Sequence, residues 1–248
     1  MFTYDAETKT AFTCDFLGEH YCESRIWDDK ILYPEKFASA FRHYYDCIFG
    51  PFKPYVLEGL KKLEALDITT VAPSHGVILR GRLREAEENY RLWSTPAKKP
   101  PKKRMIIAYA SAYGYTGMMA RTAGEAAEKC GLDVELLDIS VSPADEIAAK
   151  INEADAVMIG SNTINRDAVK PVWDILSLLS GINNQKKPAG AFGSFGWSGE
   201  AVGMIKDRLH SLRFKFVGDG LRTAFRPDKA ALEAVAEYAV QVAGAIDG

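Results

Sequence analysis

The second part of the chain alternates apolar runs with helix-like segments, and this alternation limits the possible fold more than any other feature of the sequence. Five apolar runs read as strands, namely Met105–Ala110, Val134–Asp138, Ala156–Gly160, Ala189–Gly193 and a weaker run at Phe216–Phe225. Five helix-like segments follow them, namely Gly117–Cys130, Pro143–Glu153, Val172–Leu179, Ala201–Leu212 and Asp228–Ala245. Because the strands are continuously apolar, both faces of their sheet should be covered. The pattern predicts an α/β fold with a doubly wound, five-stranded parallel sheet.

Three polar loops follow the first, third and fourth predicted strands, so they share the carboxyl edge of the sheet, where such folds bind ligands. The first loop, Ser111–Gly117, precedes a helix whose free N–H groups and positive dipole end favour a phosphate. It lacks both the Lys of a Walker loop and the G-x-G-x-x-G of a dinucleotide fold. A mononucleotide held by neutral donors is therefore the expected ligand; the alternative is a polar turn that only caps the helix.

The other two loops supply groups suited to a planar heterocycle. Residues 161–165 carry hydroxyl and amide groups that could bind the polar edge of a ring. Residues 194–199 place aromatic side chains among glycines, which let the backbone approach a ring closely. None of the three loops contains a His, Lys or Asp, so no catalytic side chain is expected there. Such a site indicates a ligand that carries its own chemistry.

The loop sequences resemble a known family. Tyr109–Thr116, Gly160–Asn165 and Phe192–Ala201 are similar to the three flavin mononucleotide (FMN) loops of a flavodoxin. They look most like the flavodoxin domain of flavodiiron proteins, the A-type flavoproteins that reduce dioxygen or nitric oxide. The resemblance implies FMN as cofactor, bound by Ser111, Ala112, Tyr113, Gly114, Tyr115, Thr116, Ser161, Asn162, Thr163, Ile164, Asn165, Ser194, Phe195, Gly196, Trp197 and Gly199.

Two upstream segments extend this resemblance to a di-iron site. Phe12–Gly18 is similar to the family segment that holds the bridging aspartate, and Ala72–Gly76 to the segment that holds the last histidine. The resemblance therefore implies that Asp15 and His75 are metal ligands. Taken singly, these residues could equally be a turn carboxylate and a capping imidazole at strand ends.

The remaining ligands of that family come from an H-x-E-x-D-like motif and a further histidine, and nothing in this sequence matches either. Two non-haem irons need several nitrogen and oxygen ligands each, so Asp15 and His75 cannot bind the pair alone. We expect the chain to be part of a longer protein, to be completed by a second chain, or to have lost the metal function. An incomplete sandwich would expose sheet edges and apolar faces, which favours the first two explanations.

The domain organisation follows from these matches. Residues 1–95 are expected to form the C-terminal part of a metallo-β-lactamase-like αβ sandwich with an incomplete di-iron site. Residues 96–103, rich in Pro and Lys, read as a linker, and residues 104–248 as the flavodoxin-like domain. The elements predicted in the first part are a hairpin in Met1–Thr13, helix over Tyr33–Leu66 broken near Gly50, a strand at Asp67–Ala72 and a helix at Leu83–Trp93.

Composition limits the partners and the compartment. A net charge of -2 gives no reason to expect nucleic acid or an anionic membrane as a partner. The four cysteines form no C-x-x-C pair, which predicts neither a zinc ribbon nor a disulfide framework. No stretch approaches the ~20 apolar residues of a membrane span, and no signal pattern begins the chain. A cytoplasmic location is therefore expected.

Three functional hypotheses remain open. In the first, FMN takes electrons from a rubredoxin-like donor or a reductase and passes them to a di-iron centre that reduces dioxygen or nitric oxide. The resemblance implies head-to-tail dimers for this reaction. In the second, the chain is a flavodoxin-like electron carrier or docking module without metal-based catalysis. The third is a flavin-dependent quinone reductase.

Overall fold

The chain folds into two compact units, Met1–Lys99 and Pro100–Gly248. The computed structural model describes residues 1–96 and 101–246. Residues 97–100 of the predicted linker lie outside the described residues, and the first strand of the second unit begins at Arg104. No helix in the described part of the chain is long and apolar enough to cross a bilayer.

The described residues of the N-terminal unit, 1–96, form one small sheet and three α-helices. In chain order these elements are β1 (Thr3–Asp5), β2 (Thr10–Cys14), α1 (Pro34–Tyr44), α2 (Lys53–Glu64), β3 (Thr70–Pro73) and α3 (Leu83–Ser94). Strands β1 and β2 form the predicted antiparallel hairpin, and β2 pairs with β3 in parallel. The helical run breaks between α1 and α2, where a π-helical turn at Tyr45–Phe49 and a 3₁₀ turn at Gly50–Phe52 intervene, as the sequence predicted near Gly50.

Aromatic side chains form the core of this unit. Tyr45 and Tyr90 are each buried, and their rings meet edge to face with centroids 4.9 Å apart. Phe16 and Phe41 contact Tyr90 from other directions at 5.3 Å and 5.2 Å. The apolar spacing along α1 and α3 therefore reflects core packing between helices and the small sheet.

The C-terminal unit is a parallel sheet covered by helices on both faces. Its elements are β4 (Arg104–Tyr109), α4 (Tyr115–Lys129), β5 (Asp133–Asp138), α5 (Ala144–Glu153), β6 (Ala156–Gly160), β7 (Thr163–Ile164), β8 (Asp167–Ala168), α6 (Lys170–Leu178), β9 (Pro188–Phe195), α7 (Glu200–Ser211), β10 (Lys215–Phe216), β11 (Leu221–Ala224) and α8 (Lys229–Gly244). The strand order is β5-β4-β6-β9, with both β10 and β11 parallel to β9 at the far edge. This order is that of a flavodoxin-like sheet.

The predicted sheet of five strands needs one correction, because the sheet has six. The predicted strand Phe216–Phe225 is two short strands that share the fifth position. Gly218 and Gly220 lie between them with φ of 62° and 77°, a left-handed conformation that interrupts an extended chain. The small antiparallel hairpin of β7 and β8 was not predicted.

Strands β4, β6 and β9 bury residues on both faces, as their apolar runs predicted. In β4, Ile106 and Ala108 pack in the cluster that includes α5, α6 and α7, whereas Met105 and Ile107 pack in the cluster that includes α4 and α8. Because β4, β6 and β9 run parallel, the loops that follow them lie at the same carboxyl edge of the sheet. The loops after β4, β6 and β9 leave the sheet side by side.

Candidate functional site

A cavity of about 340 Å³ opens at the carboxyl edge of the parallel sheet. All three predicted loops contribute to its wall, together with one residue after β11. The lining residues are Tyr113, Tyr115, Asn162, Thr163, Ile164, Ser194, Phe195, Gly196 and Phe225. Eight of these nine were predicted as ligand-binding residues; Phe225 was not.

The first loop presents a helix N-terminus to this edge. Helix α4 begins at Tyr115, directly after Gly114, whose φ of 78° requires a residue that tolerates the left-handed region. The hydroxyl of Ser111 accepts the N–H of Gly117 at 3.0 Å. The first intrahelical bond runs from the N–H of Met118 to the carbonyl of Gly114, so the N–H groups of Tyr115 and Thr116 lie before the first helical donor and are available to an anion.

Two buried hydroxyls join the first loop to the third. Thr116 and Ser194 have side-chain oxygens 3.0 Å apart and are 0% and 6% exposed. The loop Ser111–Gly117 contains no Lys or Arg. A phosphate at this point would therefore be held by backbone N–H groups and neutral hydroxyls.

The second loop is shaped by a buried serine and a tight turn. The hydroxyl of Ser161 donates to the carbonyl of Asn162 at 2.8 Å and accepts the N–H of Val169 at 3.3 Å. Asn165 and Arg166 have φ of 53° and 61° and form the turn between β7 and β8. Ser161 and Asn165 thus shape the loop, while Asn162, Thr163 and Ile164 line the cavity.

Close backbone contact between the second and third loops depends on a glycine. A Cβ built on Gly193 would lie 2.0 Å from the carbonyl oxygen of Ser161. At Gly199, just before α7, a Cβ would lie 2.8 Å from the ring of Phe195, which lines the cavity. These glycines let the loop backbones and Phe195 approach one another.

Large aromatic side chains around the cavity are exposed. Tyr113 is 84% exposed, Trp197 is 99% exposed and Phe225 is 64% exposed. Trp197 does not line the cavity, and neither do Ser111, Ala112, Gly114, Thr116, Ser161, Asn165 and Gly199. Exposed aromatic groups of this kind favour stacking on a planar ligand or contact with a partner.

The cavity fits FMN on three counts. Beside it, the N-terminus of α4 and its neutral hydroxyls suit a phosphate. The cavity wall itself offers amide and hydroxyl groups of the second loop for a heterocycle, and aromatic side chains for a planar ring. Sequence reasoning did not predict Phe225 as a lining residue, because it follows a short strand in a run that glycines interrupt. Its position at the end of a parallel strand could have suggested it, since all such ends share one edge.

In the N-terminal unit, the structure brings the two predicted metal ligands together. Nε2 of His75 lies 3.5 Å from Oδ1 of Asp15, and both side chains are about half exposed, at 51% and 49%. Asp15 follows β2, and His75 follows β3, its parallel partner. The N–H of Ser74 donates to the carbonyl of Cys14 at 2.8 Å, which holds the two strand ends side by side.

Glu19 supports the segment that carries His75. Its backbone N–H donates to the carbonyl of His75 at 3.2 Å, and its side chain accepts the N–H of Val77 at 2.6 Å. Burial raises the pKa of Glu19 to about 8, an effect that the bond from Val77 opposes. The ring of His20 lies 5.5 Å from that of His75.

These residues do not fit a pair of irons by themselves. Within residues 1–96 and 101–246, no group of three or more His, Cys, Asp or Glu side chains could hold a metal ion. Asp15 and His75 are adjacent, but two ligands cannot complete a binuclear site. The pair was predicted as metal-binding from resemblance, and the ligand role stays a prediction.

Comparisons with known proteins agree with this geometry. Residues 107–238 match the family described as Flavodoxin. The chain is 44% identical over 233 residues to the flavo-diiron protein FprA2 of Clostridium acetobutylicum. This alignment covers 92% of this chain and 58% of the relative. It is 37% identical over 235 residues to the type A flavoprotein fprA of Rhodobacter capsulatus, covering 93% of this chain and 53% of the relative.

Solved structures give the same result. The rubredoxin oxygen:oxidoreductase of Desulfovibrio gigas aligns with a TM-score of 0.65 and 28% identity, covering 100% of this chain and 62% of that one. A flavodoxin from the domain Archaea aligns with a TM-score of 0.53 and 27% identity, covering 58% of this chain and 99% of its own.

The strand order and the cavity built from three loops define a flavodoxin-like flavoprotein that uses FMN. The chain belongs to the flavodoxin family, and over most of its length it is homologous to flavodiiron proteins, also called type A flavoproteins. It spans 58% and 53% of the length of the two curated relatives described above.

Proposed function

We propose that this chain carries out FMN-dependent electron transfer as part of a flavodiiron oxidoreductase that reduces dioxygen or nitric oxide. The observation that carries the proposal is the carboxyl edge of the sheet, where a cavity with aromatic walls lies beside a helix N-terminus and the buried hydroxyls of Thr116 and Ser194. Family membership supports the same cofactor and reaction class.

The residues of the cavity and of the neighbouring helix N-terminus would bind and orient the cofactor. The N-terminal turn of α4, Ser111 and Thr116 would hold the phosphate, and the second loop would donate to and accept from the polar edge of the ring. Aromatic side chains would cover the faces of the ring and exclude water. When bound, FMN supplies the redox chemistry. The three loops contain no His, Lys or Asp, so this function assigns no proton transfer to their side chains.

Electron donors and assembly are part of the proposal. The D. gigas relative is named as a rubredoxin oxidoreductase, which supports a rubredoxin or a reductase as the donor. Exposed aromatic groups, Tyr113 in the cavity wall and Trp197 in the third loop, support a contact surface on this edge. A head-to-tail dimer would bring the flavin of one subunit close to the di-iron site of the other subunit.

The metal part of the reaction depends on ligands beyond Asp15 and His75. We infer that residues 1–95 are the C-terminal part of a metallo-β-lactamase-like domain, joined by residues 96–103 to the flavodoxin-like domain at 104–248. Alignment of the D. gigas protein over 100% of this chain supports that division. The other ligands would come from a longer polypeptide or from a second chain.

A second candidate function is a flavodoxin-like electron carrier or docking module without metal-based catalysis. The observation in its favour is that Asp15 and His75 stand without a third metal-binding side chain among the residues the structure describes. Both functions need the same flavin site, so flavin binding alone does not separate them.

Metal content separates the two functions. The protein should be purified from its own host, and its iron, its visible spectrum and the intact mass of every co-purifying chain should be measured. One FMN per chain with two irons and a longer or second polypeptide would support the oxidoreductase. FMN without iron in a lone 248-residue chain would favour the carrier. Failure to bind any flavin would overturn both.

Oxygen consumption gives a second test on the same material. A lone chain without irons should consume dioxygen slowly and release mostly peroxide, and Asp15→Asn should leave that rate unchanged. In the complete oxidoreductase, Asp15→Asn should lower both the iron content and the rate. A complete preparation in which Asp15→Asn changes neither quantity would remove Asp15 from the metal site.

A further inference from the structure

Phe225 is the one lining residue that comes from outside the three predicted loops. It follows β11 directly, and β11 lies parallel to β9 with Ala224 opposite Phe195. Its backbone N–H donates to the carbonyl of Phe195 at 2.7 Å. The end of β11 is therefore tied to the start of the third loop.

The backbone of Phe225 is strained. Its φ is 55°, in the left-handed region that bulky side chains rarely adopt. The other non-glycine residues with positive φ in the described part of the C-terminal unit are Asn165, Arg166, Lys186 and Arg213, and none of them is aromatic. Strain of this kind persists where the surroundings hold it, and it is common at ligand-binding positions.

The ring of Phe225 packs against the third loop and is still largely exposed. A Cβ built on Gly196 would lie 3.5 Å from Cε1 of Phe225, so the ring sits beside the Gly196 backbone on one side. Its exposed fraction is 64%, and it lines the same cavity as Tyr113 and Phe195. An apolar ring in this position gains burial only when something fills the cavity.

We propose that Phe225 is a flavin-contacting residue that forms the wall of the cavity on the β11 side and contributes to affinity for the ring of the flavin. This inference rests on the flavin site of the proposed function and adds a residue to it. Contact with the ring predicts equal effects on FMN and on riboflavin, because the two differ only in the phosphate.

The test compares two substitutions at Phe225 with one at a remote residue whose backbone has a similar positive φ. The apoprotein of the full 248-residue chain is titrated with FMN and with riboflavin by quenching of flavin fluorescence, and its Tm is measured. Phe225→Gly should weaken both flavins by the same factor, about tenfold. Its Tm should not fall, because glycine adopts the left-handed conformation without strain.

Lys186→Gly is the matched control. Lys186 has φ of 62° and is exposed, and it does not line the cavity. This substitution relieves similar backbone strain away from the cavity. It should therefore leave both flavin affinities unchanged. Phe225→Leu keeps an apolar side chain without the planar ring, and about a threefold loss for both flavins is expected.

Two results would overturn the inference. One is unchanged affinity in both Phe225 variants, and the other is a loss confined to FMN, which would assign the contact to the phosphate end. If Phe225→Gly failed to fold, the leucine variant would decide in the same way. If the wild-type protein bound neither flavin, the proposed function itself would be overturned. The wild-type titration is done first, so this outcome is distinguished from an effect of the variants.

Discussion

The side-chain oxygens of Thr116 and Ser194 lie 3.0 Å apart although the residues are 78 positions apart in the chain. Thr116 is in the first turn of α4, and Ser194 is near the end of β9. Both are buried, and each hydroxyl has the other as a hydrogen-bond partner. The first and third loops therefore form one polar surface.

Removing the hydroxyl of Thr116 should weaken FMN binding selectively. Thr116→Val keeps the shape of the side chain and deletes the hydroxyl that we propose binds the phosphate; a hydrogen bond to a charged group contributes about 1.5–3 kcal/mol. FMN affinity should fall by roughly 10- to 100-fold, whereas riboflavin affinity should change little. Fluorescence titration measures both. Thr116→Ser restores the hydroxyl and should restore FMN binding; an equal loss for riboflavin would place the hydroxyl away from the phosphate.

A methyl group at Gly193 should destabilise the C-terminal unit. Its Cβ would lie 2.0 Å from the carbonyl oxygen of Ser161, so the backbone would have to move. Gly193→Ala should lower the free energy of unfolding by about 1–3 kcal/mol and reduce flavin content. Urea unfolding measures the first effect, and the ratio of flavin to protein absorbance measures the second.

Gly203→Ala is the control for that experiment. Gly203 is an exposed residue inside α7, and nothing lies within 4 Å of a Cβ built on it. Alanine is the better helix former, so stability should rise by up to about 1 kcal/mol. If the two substitutions had the same effect, the close contact between Gly193 and Ser161 would not matter for stability.

The partly buried amine of Lys187 should make the free energy of unfolding depend on pH in the alkaline range. Its Nζ donates to the carbonyls of Ile151 and Asn152 at 2.6 Å and 3.0 Å, at the end of α5. Burial lowers the pKa of Lys187 from 10.5 to about 8, although Asp155 and Glu153 oppose the shift. Between these two values the unfolded chain binds more protons than the folded one, so the free energy of unfolding should rise with pH.

The measurement compares wild type with Lys187→Met by urea unfolding between pH 7.5 and 10.5. The difference in unfolding free energy should favour wild type progressively above pH 8, by at most about 3 kcal/mol over the range. Other titrating groups cancel in this difference. A difference that does not change with pH would mean that Lys187 keeps its ordinary pKa in the folded protein.

The buried carboxylate of Asp28 should stabilise the loop that precedes α3. It is 1% exposed, and its carboxylate accepts the N–H groups of Arg80 at 3.0 Å, Gly81 at 3.1 Å and Arg82 at 2.5 Å. Asp28→Ala leaves these donors unpaired and should cost about 3 kcal/mol of unfolding free energy. Urea unfolding of the full chain measures the loss.

The neighbouring acid provides the comparison for Asp28. Asp29 forms an ion pair with Arg80 at 3.1 Å, and both side chains are more than a third exposed. Asp29→Ala should cost less than about 1 kcal/mol, because exposed ion pairs contribute little. A larger loss at Asp29 than at Asp28 would contradict the role given to the buried carboxylate.

Local patterns predicted most of the fold. The run Ala156–Gly160 was predicted as a strand and is β6 with the same bounds, because a strand buried on both faces is apolar throughout. The pair β7 and β8 was missed because strands of two residues carry no periodic signal. The fifth strand was predicted as one run because left-handed glycines at 218 and 220 cannot be recognised from apolar content.

Amino-acid order alone was enough to reveal the alternating elements, the three loops and the family resemblance, since each depends on neighbours in the chain. Only the folded structure decided which distant residues meet. Strand order and register bring Thr116 to Ser194, and Asp15 to His75. The same cause brings Phe225 against Gly196 and into the cavity wall. These contacts join residues whose separation in the chain says nothing about distance, because pairing between strands depends on the packing of the whole unit.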